Sequence, residues 1–276
     1  MNKLFTLLML WMLSCLPSLA QAPMDGGVWK DNTGKHINAH GGNIFNYKGT
    51  YYWYGESRSA DGKPYSSLGV SCFTSKDLKK WTNHGLVLPV TDEPGSDIEG
   101  GCIIERPKVL YNQKTKKFVM WFHLELKGRG YGAARYGVAT SDTPFGPFKF
   151  IRSGRVNPGI YPVGFSKPDT TDLKHQLLFP ELKNWWTPEW RKQIERGMFW
   201  MRDFQGGQMS RDMTIFVDDD GKAYHIYSSE DNLTLQIAQL TDDYMQHNGS
   251  YVRVAAGGQN EAPTIFKQDG TYWMIT

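Results

Sequence analysis

Three acidic residues, Glu105, Asp212 and Glu261, stand at matching points in the sequence. Each lies shortly before an apolar run, which a polar turn and an aromatic run follow. This order indicates a pair of strands joined by a tight turn. Carboxylates that a fold brings together have separated pKa values, because each disfavours ionisation of its neighbours. One can then stay protonated as a general acid while another stays charged, as hydrolysis of a glycosidic bond requires.

Each acid also has a simpler interpretation, in which it caps a turn or pairs with an adjacent arginine. Glu105 precedes Arg106, and Asp212 follows Arg211. For any single residue the simpler interpretation would be preferred. Three acids at equivalent positions of a repeat favour a shared function.

The hairpin associated with these acids occurs four times. Its copies lie within Gly42–Glu56, Glu105–His123, Asp212–Glu230 and Asn260–Trp273. After each of the first three copies, the pattern predicts two more short strands, so each unit has four antiparallel strands. Repeated four-stranded units are typical of a β-propeller, whose blades surround a central channel. A β-sandwich, the alternative, would not explain why the units resemble one another in order.

The sequence therefore predicts an all-β fold, a five-bladed β-propeller. In such a fold the residue just before each innermost strand lies at one end of the channel, so Glu105, Asp212 and Glu261 should converge. The chain stops at Thr276, within its fourth unit. We expect a propeller domain over residues 23–276 that is truncated in the fourth blade.

An insertion, residues 151–209, separates the second and third units. It contains a predicted short helix, Thr187–Arg196, with Thr187 as N-cap and Pro188 at the first helical position. Aromatic side chains crowd this segment: Trp185, Trp186, Trp190, Phe199 and Trp200. Two interpretations stay open, a satellite apolar cluster that holds a long loop or a wall over the mouth of the site.

The composition narrows the classes of function. The net charge of +3 is small, and no basic block with interleaved aromatics indicates nucleic-acid binding. Aromatic residues make up 14% of the 276 residues. They favour a β-rich core, although flat rings could also line a sugar-binding cleft.

Residues 1–22 are predicted to be a signal peptide. Lys3 supplies the positive start, residues 4–13 form a short apolar stretch, and Ala20–Ala22 offers a cleavage site. The mature protein should therefore be secreted or periplasmic, with a lipid anchor on Cys15 as the alternative. No other apolar run reaches the ~18 residues of a membrane span.

The mature chain would keep two cysteines, Cys72 and Cys102, which fall in neighbouring units. They could pair in an oxidising compartment or remain two buried thiols, and both possibilities stay open. No Cys/His cluster has zinc-site spacing, so we predict no metal site and no cofactor.

Three motifs, Ala39–Gly42, Ser210–Thr214 and Glu261–Pro263, together resemble glycoside hydrolase family 43. The resemblance runs from about residue 36 to the end, is weaker in the insertion, and is closest to the exo-β-1,3-galactanase and galactosidase branch. It implies a five-bladed propeller and an inverting glycosidase that cleaves terminal β-linked galactose from galactan or arabinogalactan-type polysaccharide.

The resemblance also implies roles for the acids. Glu261 matches the family's general acid, and Asp212 matches the aspartate that tunes the pKa of that acid and orients it. Glu105 matches a blade 2 glutamate that helps to position the water or the substrate in the galactanase branch.

The family's usual base, an aspartate of blade 1, has no match. Aligning Phe45 with Phe266 puts Gly41-Gly42 at that step. The galactanase branch similarly lacks this aspartate. A structural calcium ion is possible, since some relatives hold one in the channel, but the sequence identifies no ligands for it.

Contacts with an oligosaccharide or polysaccharide substrate are expected from His40, Glu56, Arg211, Trp53 and Trp200. Other activities on the same fold remain open: galactofuranosidase, α-L-arabinofuranosidase and β-xylosidase could use the same carboxylates. A non-catalytic carbohydrate-binding propeller is the alternative of another class, supported by the missing aspartate of blade 1.

Overall fold

The structure is a computed structural model, and it describes residues 27–60, 67–165 and 187–276. The predicted signal peptide with Cys15 lies outside the described residues, as do Trp185 and Trp186 of the insertion.

Within these ranges the chain forms three four-stranded antiparallel sheets and a two-stranded hairpin, each with its strands in sequence order. The first sheet consists of β1 (His40–Tyr47), β2 (Thr50–Arg58), β3 (Ser67–Ser75) and β4 (Thr82–Pro89). The second consists of β5 (Ile103–Asn112), β6 (Lys117–Glu125), β7 (Arg135–Ser141) and β8 (Lys149–Gly154). The third consists of β9 (Met213–Val217), β10 (Ala223–Ser229), β11 (Thr234–Leu240) and β12 (His247–Val254). The hairpin consists of β13 (Thr264–Gln268) and β14 (Thr271–Ile275).

Tight turns join the paired strands where the sequence predicts them. Lys48 and Gly49 have φ values of 51° and 73°, and Asp269 and Gly270 have 49° and 76°. Two consecutive residues with positive φ match the right-handed twist of the flanking strands, which explains the polar residue followed by glycine at both turns. The predicted four-stranded units are confirmed, with strand ends that differ by a few residues.

The first strands of the units lie next to one another. β1 contacts β5, β5 contacts β9, and β9 contacts β13. Apolar side chains fill the space between neighbouring sheets. Tyr54, Ile104 and Met120 belong to the core between the first and second sheets, and Trp121 and Tyr227 belong to the core between the second and third. This packing brings the beginnings of the four first strands into one region.

The described part of the insertion contains two helices, α1 (Pro188–Arg196) and α2 (Met198–Asp203). The predicted helix α1 is confirmed, and the Oγ1 atom of its N-cap Thr187 accepts the N–H of Trp190 at 3.2 Å. Helix α2 was not predicted. It begins after Gly197, whose φ of 100° ends α1, and it lacks a capping side chain that the sequence could have revealed.

Cys72 and Cys102 are both buried free thiols, so the second of the two possibilities holds for this structure. In the described ranges, no helix has the length and apolar character needed to cross a membrane.

Candidate active site

The three sequence-predicted acids meet at one cavity of about 450 Å³. Glu105, Asp212 and Glu261 all line it, and so do three predicted contact residues, His40, Glu56 and Arg211. An oxygen of Glu105, an oxygen of Asp212 and a ring nitrogen of His123 lie within 4.8 Å of one another. Residues more than a hundred positions apart in sequence therefore share one pocket.

In three of the four units, a residue with a positive φ lies in or just before the first strand. Gly41, Arg106 and Ala262 have φ values of 54°, 53° and 47°. Each directly follows a residue of the cavity lining, namely His40, Glu105 or Glu261. In β1 and β5 this feature accompanies an irregular register at residues 40–43 and 105–108, and such bulges redirect side chains.

The positive φ values make His40 the counterpart of Glu105 and Glu261 in the first unit. His40 lies one residue before the Gly41-Gly42 pair to which the sequence analysis assigned this step, and pairing Phe45 with Phe266 also puts His40 opposite Glu261. Burial lowers the pKa of His40, and the charges of Arg58 and His36 act in the same direction. The first unit therefore presents an imidazole where other units present a carboxylate.

Asp212 is fully engaged by neighbours from two other units. Arg106 donates to both of its oxygens, from Nε at 3.0 Å and from Nη2 at 2.8 Å. The backbone N–H of Ala262 donates to Oδ2 at 2.9 Å. Because Ala262 follows Glu261 directly, Asp212 fixes the backbone that carries Glu261.

Glu105 accepts three side-chain hydrogen bonds. His123 Nδ1 lies 3.2 Å from Oε2, while Tyr131 and Arg58 donate to Oε1 at 2.9 and 3.3 Å. Burial acts to raise the pKa of Glu105, but the His123 and Tyr131 hydrogen bonds and the Arg58 charge outweigh it and lower the pKa. Glu105 is therefore held as a carboxylate.

His123 connects Glu105 to a second, fully buried carboxylate. Its Nε2 lies 2.9 Å from Oε1 of Glu125, which also accepts the N–H of Ala134 at 2.8 Å. Burial disfavours the imidazolium, but hydrogen bonds to both carboxylates prevail and raise the pKa of His123. With an acceptor at each ring nitrogen, His123 is best satisfied when both nitrogens are protonated.

Glu56 is the most deeply buried carboxyl of the cavity, with a side chain 3% exposed. Burial raises the pKa of Glu56 to about 7 despite the opposing effect of Arg58. Arg58 donates from Nε to Glu56 at 2.7 Å and from Nη2 to Glu105, so one guanidinium connects the two acids.

Glu261 differs from these acids because it is exposed to the cavity. Among the described residues, one side-chain contact holds it: Nδ2 of Asn232 donates to Oε1 at 2.9 Å. A carboxyl with few protein partners is free to meet a ligand.

Arg211 lies at the edge of the cavity. Its Nη2 donates to the carbonyl oxygen of Tyr131 at 3.1 Å and to Oδ1 of Asp231 at 3.4 Å.

The sequence suggested ion pairs between adjacent residues, Glu105 with Arg106 and Asp212 with Arg211, and these pairs do not form. Instead, Arg106 binds Asp212, Glu105 binds Arg58, and Arg211 binds Asp231. All three ion pairs join residues that are distant in sequence.

Two predicted contacts, Trp53 and Trp200, do not line this cavity. Trp53 packs edge-on against Trp29 and Trp81, with ring centroids 5.6 and 5.2 Å apart, and lines a neighbouring cavity. Trp200 is 0% exposed, and its indole N–H donates to the hydroxyl of Tyr251 at 2.8 Å. The prediction of a substrate contact at Trp200 is wrong, because the ring is sealed in an apolar core.

The insertion accordingly acts as a packed support. Trp190, Ile194 and Met198 form an apolar cluster with Leu233 of the third unit. None of its described residues lines the cavity. Among the described residues, this favours the satellite cluster over the wall.

Sequence reasoning missed several residues of the cavity: Arg58, Arg106, His123, Tyr131 and Asn232. Arg58 and His123 each lie two residues beyond an inward-facing position of a second strand, so the period-2 alternation could have identified them. Tyr131 and Asn232 lie in connections without a periodic signal.

A metal ion could in principle use Glu105, His123 and Asp212, whose ligand atoms are close together. All three already have protein partners: His123 has carboxylates on both nitrogens, and Arg106 occupies both oxygens of Asp212. An arginine in this position supplies the positive charge that a cation would bring. The side chains present therefore do not fit a metal site.

No family model matches the chain, and no curated protein matches it. Solved structures, in contrast, do match the chain. The chain is similar to the family 43 β-1,3-galactosidase BT3683, determined with galactodeoxynojirimycin, at 58% identity and a TM-score of 0.84. The alignment covers 90% of this chain and 71% of that one.

Two other structures match less of their own length. The family 43 β-1,3-galactosidase BT0265 shares 38% identity with a TM-score of 0.68, and an exo-β-1,3-galactanase from Clostridium thermocellum shares 36% identity with the same TM-score. Each alignment covers 90% of this chain, but only 42% and 44% of the respective relative.

Proposed function

Because this chain belongs to glycoside hydrolase family 43, we propose that it removes terminal β-1,3-linked galactose from galactan or arabinogalactan-type chains by an inverting single displacement. The identity of 58% to a β-1,3-galactosidase supports the choice of galactose. The convergence of Glu105, Asp212 and Glu261 on one cavity is the observation that carries the catalytic assignment.

Glu261 is the general acid of this proposal. It donates its proton to the leaving glycosidic oxygen as the bond to the anomeric carbon breaks. Its exposure to the cavity leaves the carboxyl able to reach that oxygen, with Asn232 as its one side-chain partner in the part of the chain that the structure describes.

Glu105 positions the attacking water or the substrate. Three donors hold this carboxylate in place, so it can accept a hydrogen bond from the nucleophile on the opposite face of the sugar. The His123–Glu125 pair behind it fixes its orientation.

Asp212 supports the acid through the backbone. It accepts the N–H of Ala262 and is charge-compensated by Arg106, so it holds the segment that carries Glu261 without ion-pairing to the substrate. His40, Glu56 and Arg211 are the proposed sugar contacts, since each offers polar atoms to the cavity.

Incubation with β-1,3-galactobiose and β-1,3-galactotriose tests the activity. We expect galactose to be released one unit at a time, and proton NMR at early times should show the α-anomer first. Initial release of the β-anomer would contradict inversion. Faster release of arabinofuranose or xylose from aryl glycosides would assign another sugar.

A carbohydrate-binding protein without catalysis is the rival function. Calorimetric binding of galactobiose with no hydrolysis over days would support the rival and exclude the proposed activity.

We also propose that the sheets belong to a five-bladed propeller. The contacts of β1 with β5, β5 with β9 and β9 with β13 support an arrangement of successive blades around an axis.

Export is a further part of the proposal, and the composition of residues 1–22 supports it. Expression with these residues, followed by N-terminal sequencing of the mature protein, should locate the cleavage after residue 22. A lipid-modified Cys15 at the mature N-terminus would show membrane anchoring instead.

A further inference from the structure

The connection between β10 and β11 contains a left-handed turn formed by three residues other than glycine. Glu230, Asp231 and Asn232 have φ values of 52°, 57° and 69°. Side chains on a left-handed backbone crowd the following carbonyl, so such residues normally occur singly. A run of three persists only where the surroundings hold it, and such strain is concentrated at functional sites.

The first residue of the turn is anchored to helix α1. Glu230 is fully buried and forms an ion pair with Arg253, which donates from Nε to Oε1 and from Nη2 to Oε2. The same guanidinium donates to the carbonyl oxygens of Ile194 and Glu195 in the last turn of α1. Arg253 therefore places a positive charge at the C-terminal end of α1, adds a donor to two of its last carbonyls and ties them to the turn.

The second residue is anchored to helix α2. Arg202 donates from Nη1 to Oδ2 of Asp231 at 2.6 Å. Asp203 orients the guanidinium by accepting from Nε and Nη2 at 3.1 and 2.8 Å. The ring of Phe199 lies under the guanidinium at 4.8 Å. Asp203 and Phe199 thus hold the guanidinium of Arg202 in the orientation in which its Nη1 meets Asp231.

The third residue holds the general acid. Asn232 donates from Nδ2 to Oε1 of Glu261, and its carbonyl oxygen accepts the N–H of Asn260 at 2.8 Å. The turn therefore contacts both the carboxyl of Glu261 and the backbone just before it. A shift of the turn would move both.

Helix α2 is itself fixed to the third sheet. Trp200 is buried, its N–H binds the hydroxyl of Tyr251, and its carbonyl oxygen accepts from Nε2 of Gln208 at 3.1 Å. The ring that sequence analysis assigned to the substrate instead anchors the helix that carries Arg202.

We propose that Arg202 is a positioning residue for the acid step, and that the insertion serves to hold the left-handed turn that places Glu261. The inference rests on the proposed function, since it assumes that Glu261 is the general acid. It adds a role for a segment whose described residues lie outside the cavity. Arg202 touches no substrate and acts through Asp231 and Asn232.

Leaving-group dependence provides the test, because a good leaving group departs without a proton from the acid. The Arg202→Met variant keeps the apolar stem and removes the ion pairs with Asp231 and Asp203. We expect kcat to fall at least about 10-fold on β-1,3-galactobiose, and less than about 3-fold on 2,4-dinitrophenyl β-galactoside. KM should change little on either substrate. Arg196→Met, at an exposed arginine of the same insertion, is the matched control and should behave like the wild type.

A second variant tests the same contact if Arg202→Met does not fold. Asp231→Asn removes the charge that Arg202 binds at 2.6 Å and Arg211 at 3.4 Å, while asparagine tolerates the left-handed conformation. It should show the same selective loss on galactobiose, with circular dichroism matching the wild type.

The possible results separate the two proposals. Equal losses on both substrates, or no loss in either variant, would overturn the positioning role while the activity of the wild type upholds the proposed function. A wild-type protein that hydrolyses neither galactoside would refute the proposed function and, with it, the premise of this inference.

Discussion

Glu105, Asp212 and Glu261 differ in how much of each carboxyl group the protein itself uses. Arg106 occupies both oxygens of Asp212, and three side chains occupy Glu105. Glu261 has one side-chain partner and faces the cavity. At the scale of single residues, this difference supports the proposal that Glu261 donates the proton while Glu105 and Asp212 arrange the site.

The first prediction concerns Glu261→Gln. The amide keeps the shape but has no acidic proton, so kcat on β-1,3-galactobiose should fall about 10²–10⁴-fold with little change in binding. Steady-state kinetics and calorimetric titration with galactobiose measure the two effects. Glu93→Gln, at an exposed glutamate, is the control. Full activity of Glu261→Gln would remove this residue from the mechanism.

The second prediction concerns the pH dependence of stability at Glu56. Burial raises its pKa from 4.5 to about 7, so between these values the native state binds more protons than the unfolded chain. The free energy of unfolding should therefore fall as pH rises through this window. Relative to Glu56→Gln, the wild type should lose about 2–3 kcal/mol between pH ~5 and pH ~8.

Urea unfolding of both proteins across this pH range measures the effect. Glu93→Gln should leave the pH dependence of the wild type unchanged, because its side chain is exposed. Parallel curves for the wild type and Glu56→Gln would show that Glu56 is not perturbed as described.

At the scale of elements, the beginnings of the first strands carry the geometry of the site. The positive φ values at Gly41, Arg106 and Ala262 follow three residues of the cavity lining. The strands nearby lie unusually close together. A Cβ atom at Gly42 would lie 1.6 Å from the carbonyl oxygen of Tyr54.

The third prediction follows from this close approach. Gly42→Ala should destabilise the protein by about 3 kcal/mol or more, because the clash is with backbone and cannot be relieved by a rotamer change. Gly49→Ala is the control: Gly49 has a positive φ of 73° but open space around it. It should cost only about 1 kcal/mol.

Thermal and urea unfolding distinguish these two variants. A Gly42→Ala protein as stable as Gly49→Ala would indicate that β1 and β2 are not packed as described.

At the scale of the whole molecule, the site exists because several units meet. Asp212 directly precedes β9 of the third sheet, Arg106 belongs to β5 of the second, and Ala262 precedes β13. One carboxylate thus joins three units. The contacts of Asp212 with Arg106 and Ala262 form a junction between these units. A variant that weakens this junction should therefore also disturb the catalytic geometry.

The fourth prediction is a double-mutant cycle with Arg106→Met and Asp212→Asn. The bidentate, partly buried pair should give a coupling energy of about 1–3 kcal/mol, with a loss of activity in each single variant. Lys114 and Asp242 also join the second and third sheets, at 2.6 Å, but both are largely exposed. A cycle on that pair should give no measurable coupling.

Unfolding free energies of the wild type and the six variants, together with kcat for each, measure both coupling energies. Equal coupling in the two cycles would mean that Asp212 has no special role in the junction.

The sequence alone determined the sheets, the helix α1 and the identity of the three acids. Each of these depends on local order: alternating residues favour strands, a residue followed by glycine favours a tight turn, and Thr187-Pro188 favours a helix start. Because the units repeat, residues at equivalent steps were expected to converge, and Glu105, Asp212 and Glu261 do so.

Tertiary structure alone decided which side chains bind one another and which are buried. Arg106 lies beside Glu105 in sequence but binds Asp212 on another sheet, and Trp200 looked available for a sugar but fills a core beneath α2. Such contacts depend on which faces of separate units become neighbours and on backbone kinks that reverse the direction of a side chain. Neither property is encoded by the residues next to one another along the chain, so no local pattern could have revealed the turn at residues 230–232 that supports Glu261.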